Sequence, residues 1–142
     1  VSVYIDLVKG LVNKCGGKGL SFNKKRIILD SSNLSLDTDW VTWQKVLKLA
    51  AQFNQKGMCI CGEILGDSAE LHHALITKQD ARGSREKERI LHHSYNIILA
   101  HPECHAKLQR KDSLQYLSIL YGDVEVHTWY NELPFRAMPR RL

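Results

Sequence analysis

No run of 18 apolar residues occurs anywhere in the chain, so no segment is expected to span a membrane. Internal repeats and low-complexity tracts are missing too, and the composition argues against a fibrous or disordered chain. The opening stretch from Val1 to Lys9 carries Asp6 inside its apolar run, unlike a secretory signal. A phosphate-binding loop is also lacking. Gly17-Lys18-Gly19 has neither the leading Gly at the required spacing nor a Ser or Thr after the Lys. Asn33-Leu34-Ser35 matches a glycosylation triplet, but such triplets arise by chance and nothing else indicates secretion. The expected location is therefore cytoplasmic. The first residue is Val, not Met, which leads us to expect a processed chain or a piece of something longer.

What is present is ordinary in bulk and uneven in detail. A length of 142 residues suits one compact core, and 44% apolar with 25% charged residues is globular composition. The formal net charge is +5, which favours a polyanionic partner. There are 4 Cys and 7 His. In a reducing compartment, clustered Cys and His are more often metal ligands than disulfides.

Periodicity predicts a mainly helical α+β fold. A first helix spans about Val3 to Lys14 with Ile5, Leu7, Val8, Leu11 and Val12 on its apolar face, and Gly16-Gly17 ends it. Arg26 to Leu29 has strand character. A stronger helix, capped by Asp37 or Thr38, repeats Trp40, Trp43, Val46, Leu47, Ala50 and Phe53 at helical spacing as a core stripe. Strands are predicted over Ala69 to Ile76 and Asn96 to Ala100, joined by a long charged loop from Lys78 to Arg89. Pro102 starts a helix running to about Arg110, followed by helices from Ser113 to Tyr121 and from Val124 to Leu133.

Three of the four Cys and six of the seven His fall between Cys59 and Leu108. Cys59 and Cys61 precede the first strand of this segment, and His101 and Cys104 flank a helix start about forty residues later. Two ligand pairs separated by a hairpin supply a tetrahedral Cys₃His structural zinc site. Cys15 stands apart and is assigned no role. His92 and His93 are expected in a solvated loop, and His127 on an ordinary helix.

A second set consists of His72, His73, Asn96 and His105. The stretches Glu70-Leu71-His72-His73, Asn96-Ile97-Ile98-Leu99 and Cys104-His105 resemble the HNH endonucleases, and the preceding Cys59-Ile60-Cys61-Gly62 resembles the zinc-binding pair of phage-type members. The resemblance runs from about Gly57 to Leu108 and leaves residues 1–36 outside. It implies a ββα-metal hairpin and helix, with His73 as general base towards water and Asn96 bonding backbone across the hairpin. It also implies that His72 and His105 hold one divalent cation (Mg, Mn, Ni or Zn). His101 falls where zinc-bearing relatives have their third zinc ligand, and Gln109 stands where some relatives carry a further metal-binding His. Adjacent strand residues point to opposite faces, so His72 and His73 can share a site only where the strand ends or bulges.

Charge adds a partner. Ala74 to Lys111 holds 8 basic against 4 acidic residues, and the first thirty residues hold 6 against 2. Lys78, Arg82, Arg85, Lys87 and Arg89 are expected to contact phosphates of DNA, most readily a duplex, without reading its sequence. The expected activity is metal-dependent hydrolysis of one DNA strand per site, leaving 5′-phosphate and 3′-hydroxyl ends. A zinc-stabilised nucleic-acid-binding module without cleavage, a nuclease piece of a larger assembly, and RNA cleavage are the alternatives. The expected organisation is a 1–36 extension, a nuclease domain over 37–134 and a basic tail over 135–142.

Overall fold

The computed structural model describes residues 2–133; the expected 135–142 tail lies outside them. The architecture is α+β, with six α-helices and two small antiparallel sheets among the described residues. Helix α1 (Ser2–Lys14) leads to strands β1 (Leu20–Asn23) and β2 (Arg26–Leu29), which pair as a hairpin. Helix α2 (Trp40–Asn54) follows, then β3 (Glu70–His73), α3 (Arg85–Ile90), a 3₁₀ turn at Ser94–Asn96 and β4 (Ile97–Ala100). Helices α4 (Pro102–Lys107), α5 (Arg110–Tyr121) and α6 (Asp123–Asn131) are the last elements among the described residues.

Several local expectations change. The cap of α2 is Asp39, whose carboxylate accepts from the Thr42 N–H at 3.1 Å and the Thr42 hydroxyl at 2.7 Å. Leu7 faces outward, and the buried positions of α1 and its end are Val8, Val12 and Cys15, one helical stripe. The stretch expected to be all loop from Lys78 to Arg89 holds all but the last residue of α3. Ser84 caps it by accepting from the Lys87 N–H, and Ile90 seats it in the core. Helix α4 stops at Lys107 because Leu108 and Gln109 take extended backbone angles; Gln109 then caps α5.

Two hydrophobic clusters share the strands. On β2, Ile27 and Leu29 face one cluster with Val8, Val12, Trp43 and Leu47, while Ile28 faces the other. On β4, Ile97 and Leu99 join the first cluster and Ile98 joins the second, with Leu75, Ile76, Leu117 and Val126. This is the period-2 alternation of a strand buried on both faces. Residues 1–36 therefore contribute side chains to the same core as α2 and β4. The end of α2 ties the two hairpins together. The Asn54 side chain accepts from Ile27 N–H (2.8 Å) and donates to Ile27 O (2.9 Å) and the Tyr121 hydroxyl (2.8 Å). The next side chain, Gln55, accepts from Leu99 N–H (2.8 Å) and donates to Leu99 O (2.9 Å). Each amide completes the open edge of a strand, as a neighbouring strand would.

Candidate functional site

The Cys and His set lies where a backbone knuckle meets the start of α4. Cys59 N–H donates to Glu63 O (2.8 Å), Gly62 N–H donates to Cys59 O (2.9 Å), and Leu65 N–H donates to Gly57 O (2.8 Å). Gly62 takes φ +91°, a left-handed angle that lets the chain double back so soon after Cys61. Across from it, His101 caps α4 and Pro102 fills its first turn, so Cys104 stands three residues on, over the same turn.

The ligand atoms of Cys59, Cys61, His101 and Cys104 all lie within 4.8 Å of one another. His101 Nδ1 is 3.5 Å from Cys61 Sγ and 3.8 Å from Cys104 Sγ. A tetrahedral ion with ordinary Zn–S and Zn–N bonds would separate its S and N ligands by about 3.6 Å. The other ring nitrogen, His101 Nε2, lies 2.8 Å from Ile64 O. A carbonyl only accepts, so Nε2 carries the proton and Nδ1 is the free nitrogen that a metal needs. The thiols are also poised. Burial raises Cys59, but hydrogen bonds from the Cys61 and His101 backbone, and then from the Cys61 and Cys104 thiols, bring it down to about 7. Cys104 is pushed up to about 11, by burial first and then by its two Cys neighbours. Once one thiolate forms, its neighbours resist ionising until a cation offsets the charge. The donor set fits a metal ion such as structural zinc.

The hairpin β3–β4 pairs His72 with Ile98 and His73 with Ile97, and α4 packs on both strands. His72 meets His105, ring centroids 4.6 Å apart and edge to face. Glu70, two residues before His72 on β3, reaches the same place: its Oε1 lies 2.8 Å from His105 Nδ1. Alternation along the strand accounts for the pairing of Glu70 with His72. His73 instead approaches His92, centroids 5.8 Å apart. Burial, then the charges of His105 and His73, push His72 down to about 4. Burial, then Lys78 and His105, lower His73 as well.

Asn96 is fully buried beneath these residues. Its Oδ1 accepts from the N–H groups of Leu75 and Ile76 (both 2.8 Å), and its Nδ2 donates to Ile76 O (2.9 Å) and Leu91 O (3.1 Å). Every hydrogen-bonding position of the amide is used, three bonds holding the segment that leaves β3 and the fourth holding the end of α3. His92 and His93, expected in solvent, are buried. Trp43 Nε1–H, from α2, donates to His92 O (3.0 Å), and His93 Nδ1 accepts from Tyr95 N–H (3.0 Å) to cap the 3₁₀ turn.

The basic residues divide into two groups. Lys78 and Arg82 are exposed. Arg85 Nη2 donates to Leu36 O (3.1 Å) and Arg89 Nη1 to Leu34 O, which fastens α3 to the 34–36 loop, while Lys87 is half-buried on α3. Two cations that sequence reasoning passes over lie on α2. Lys45 and Lys48, with Val41 and Gln44, line an open groove of about 590 Å³ against Glu70, Leu71 and His105. Their signal in the sequence is the i, i+3, i+4, i+7 face opposite the Trp43 stripe. Comparisons with protein-family models, curated proteins and solved structures gave no match to this chain.

Proposed function

We propose that this protein is a metal-dependent DNA endonuclease in which His73 is the general base and His72 and His105 hold one divalent cation. The observation that carries the reading is the meeting of His72, His105 and Glu70 beside His73 at one end of the β3–β4 hairpin. A bound divalent cation would supply charge stabilisation at the scissile phosphate and the leaving oxygen. Glu70 would orient His105 through Nδ1 and leave Nε2 for the metal, the usual carboxylate–histidine arrangement. His73, lowered by burial, stays neutral at pH 7 and so can accept a proton from water. Asn96 would position the chain beyond His73 without touching substrate. Lys45 and Lys48 on one side and Lys78 and Arg82 on another would contact phosphates.

Supercoiled plasmid with Mg²⁺, Mn²⁺ or Ni²⁺ tests the proposal. Wild type is expected to produce nicked circles, and His73→Ala to lower the rate by about 10²–10⁴-fold. Equal background nicking by both proteins under all three metals would overturn it. The turn of the His73 ring towards His92 favours a second reading, a zinc-stabilised module that binds nucleic acid without cutting. Salt-dependent DNA binding unaffected by His73→Ala, with no nicking, would select that reading instead.

A further inference from the structure

We propose that the cavity between α2 and α3 is a binding site for a single unpaired nucleotide. It encloses about 350 Å³, near the lower end for small-molecule sites and far too small for a duplex. Trp40 and His92 give it flat ring surfaces, centroids 5.1 Å apart with planes 31° from parallel. Lys78, Arg85 and Arg89 line it against one acid, Glu88. Two buried atoms of the lining residues, His92 Nδ1 and Arg89 Nε, have no hydrogen-bond partner among the described residues. Buried polar nitrogens are rarely left so, and a ligand is one way to complete them.

These features together select the ligand class. A bare phosphate would use the cations and waste the rings, whereas an apolar molecule would do the reverse. A nucleotide uses both, with its base stacked on Trp40 and its phosphate near Lys78 and the outer nitrogens of Arg85. His92 Nδ1 is closed to solvent as the ring stands, so the edge of the base or its sugar hydroxyl would meet it once that ring turns towards the cavity. The His92 ring lies 5.8 Å from that of His73, so this lining residue also neighbours the proposed base. The biological ligand inferred from this, a substrate strand with one nucleotide out of its stack, rests on the nuclease reading. Nucleotide binding itself does not.

The test titrates the whole chain, without added divalent cation, with deoxyadenosine monophosphate, deoxyadenosine and inorganic phosphate, followed by amide and indole NMR shifts. Saturable one-to-one binding of the monophosphate is expected, with shifts at Trp40 and His92 and at least tenfold weaker binding of the other two. His92→Phe keeps a ring and removes the nitrogen, and should weaken the monophosphate about tenfold. Lys78→Ala, at an exposed position, should weaken the monophosphate similarly and leave deoxyadenosine unchanged. No saturable monophosphate binding would overturn the proposal. So would phosphate binding as tightly as the nucleotide and unaffected by His92→Phe. Nucleotide binding without plasmid nicking would remove the nuclease reading alone, and nicking without nucleotide binding would remove this site alone.

Discussion

The proton on His93 can be assigned from its neighbours. Nδ1 accepts from the Tyr95 backbone N–H, so in the neutral ring the proton sits on Nε2, 3.8 Å from Asp30 Oδ1. Tyr95 and Trp129 pack against the ring, at 4.7 and 4.9 Å between centroids. Burial pushes its pKa down to about 4, and Asp30 pulls it back only in part. An unfolded His titrates near 6.5. Above that value both states are neutral and the full contribution to stability is present. As pH falls from about 6.5 towards 4, the unfolded chain takes up a proton that the native chain refuses, so stability declines. His93→Asn retains an oxygen to cap Tyr95 and cannot titrate. Urea denaturation from pH 7 to 4 should show a shallower loss of stability in the variant, by up to one proton, and identical slopes would disprove the assignment. The contrast with Asn96 shows what sequence can reveal about single residues. Asn96 stands out because its spacing to His105 forms a pattern, and its amide makes four bonds to backbone. His92 and His93 read as solvated because their burial depends on Trp43 and Asp30, far away along the chain, which no local pattern encodes.

Elements are legible where apolar spacing is long and obscure where turn chemistry or charge rules. The stripe of α2 announces that helix, while α3 is hidden because its six residues are nearly all charged and only Ile90 is buried. Strand β1 escapes for a different reason. Its hairpin turns on Lys24 and Lys25, at φ +50° and +67°, where an Asn-Gly pair would have announced a turn. Each lysine bears a left-handed penalty of about 1–2 kcal/mol. The double substitution Lys24→Asn with Lys25→Gly should raise unfolding free energy by about 1 kcal/mol. No rise in the urea midpoint would mean that the turn is not strained. The knuckle and α4 depend on each other in another way. The knuckle around Cys59 and Cys61 is built of short turns, and α4 is six residues long, below the length at which helices are stable by themselves. A metal joining them would supply stability comparable to that of a whole domain. Elemental analysis should find one zinc per chain in wild type and in Cys15→Ser, whose thiol is buried in the core beside Asp39 O. Cys104→Ser should lose both the zinc and cooperative unfolding. A zinc-free wild type would remove the structural-metal claim and leave the nuclease proposal standing.

At the scale of the whole chain, the candidate site is held by a core to which the first 36 residues belong as fully as the rest. Val8, Val12, Ile27, Leu29 and Leu34 are each no more than 2% exposed, packed with Trp43, Val46, Leu47, Ile97 and Leu99. Nothing in the motifs hints at this dependence, because the resemblance and the metal ligands all lie beyond Gly57, while the packing that positions them begins at Val8. Burying each such side chain contributes about 1.5–3 kcal/mol, so five of them rival the entire stability of a typical domain, about 5–15 kcal/mol. The link is polar as well as apolar. Without Ile27 the Asn54 amide loses two partners in a buried place, and without Leu29 the Ser94 hydroxyl loses the backbone N–H it now accepts from at 2.8 Å. Ser94 opens the 3₁₀ turn that ends in Asn96, so the loss would reach the loop Asn96 holds behind His73. A chain of residues 37–142 should therefore lack a cooperative thermal transition, bind a hydrophobic dye, and fail in the plasmid assay whatever metal is added. If that shortened chain instead unfolds in one sharp step near the midpoint of the full chain, residues 1–36 are an accessory to the site and the single-core account is wrong.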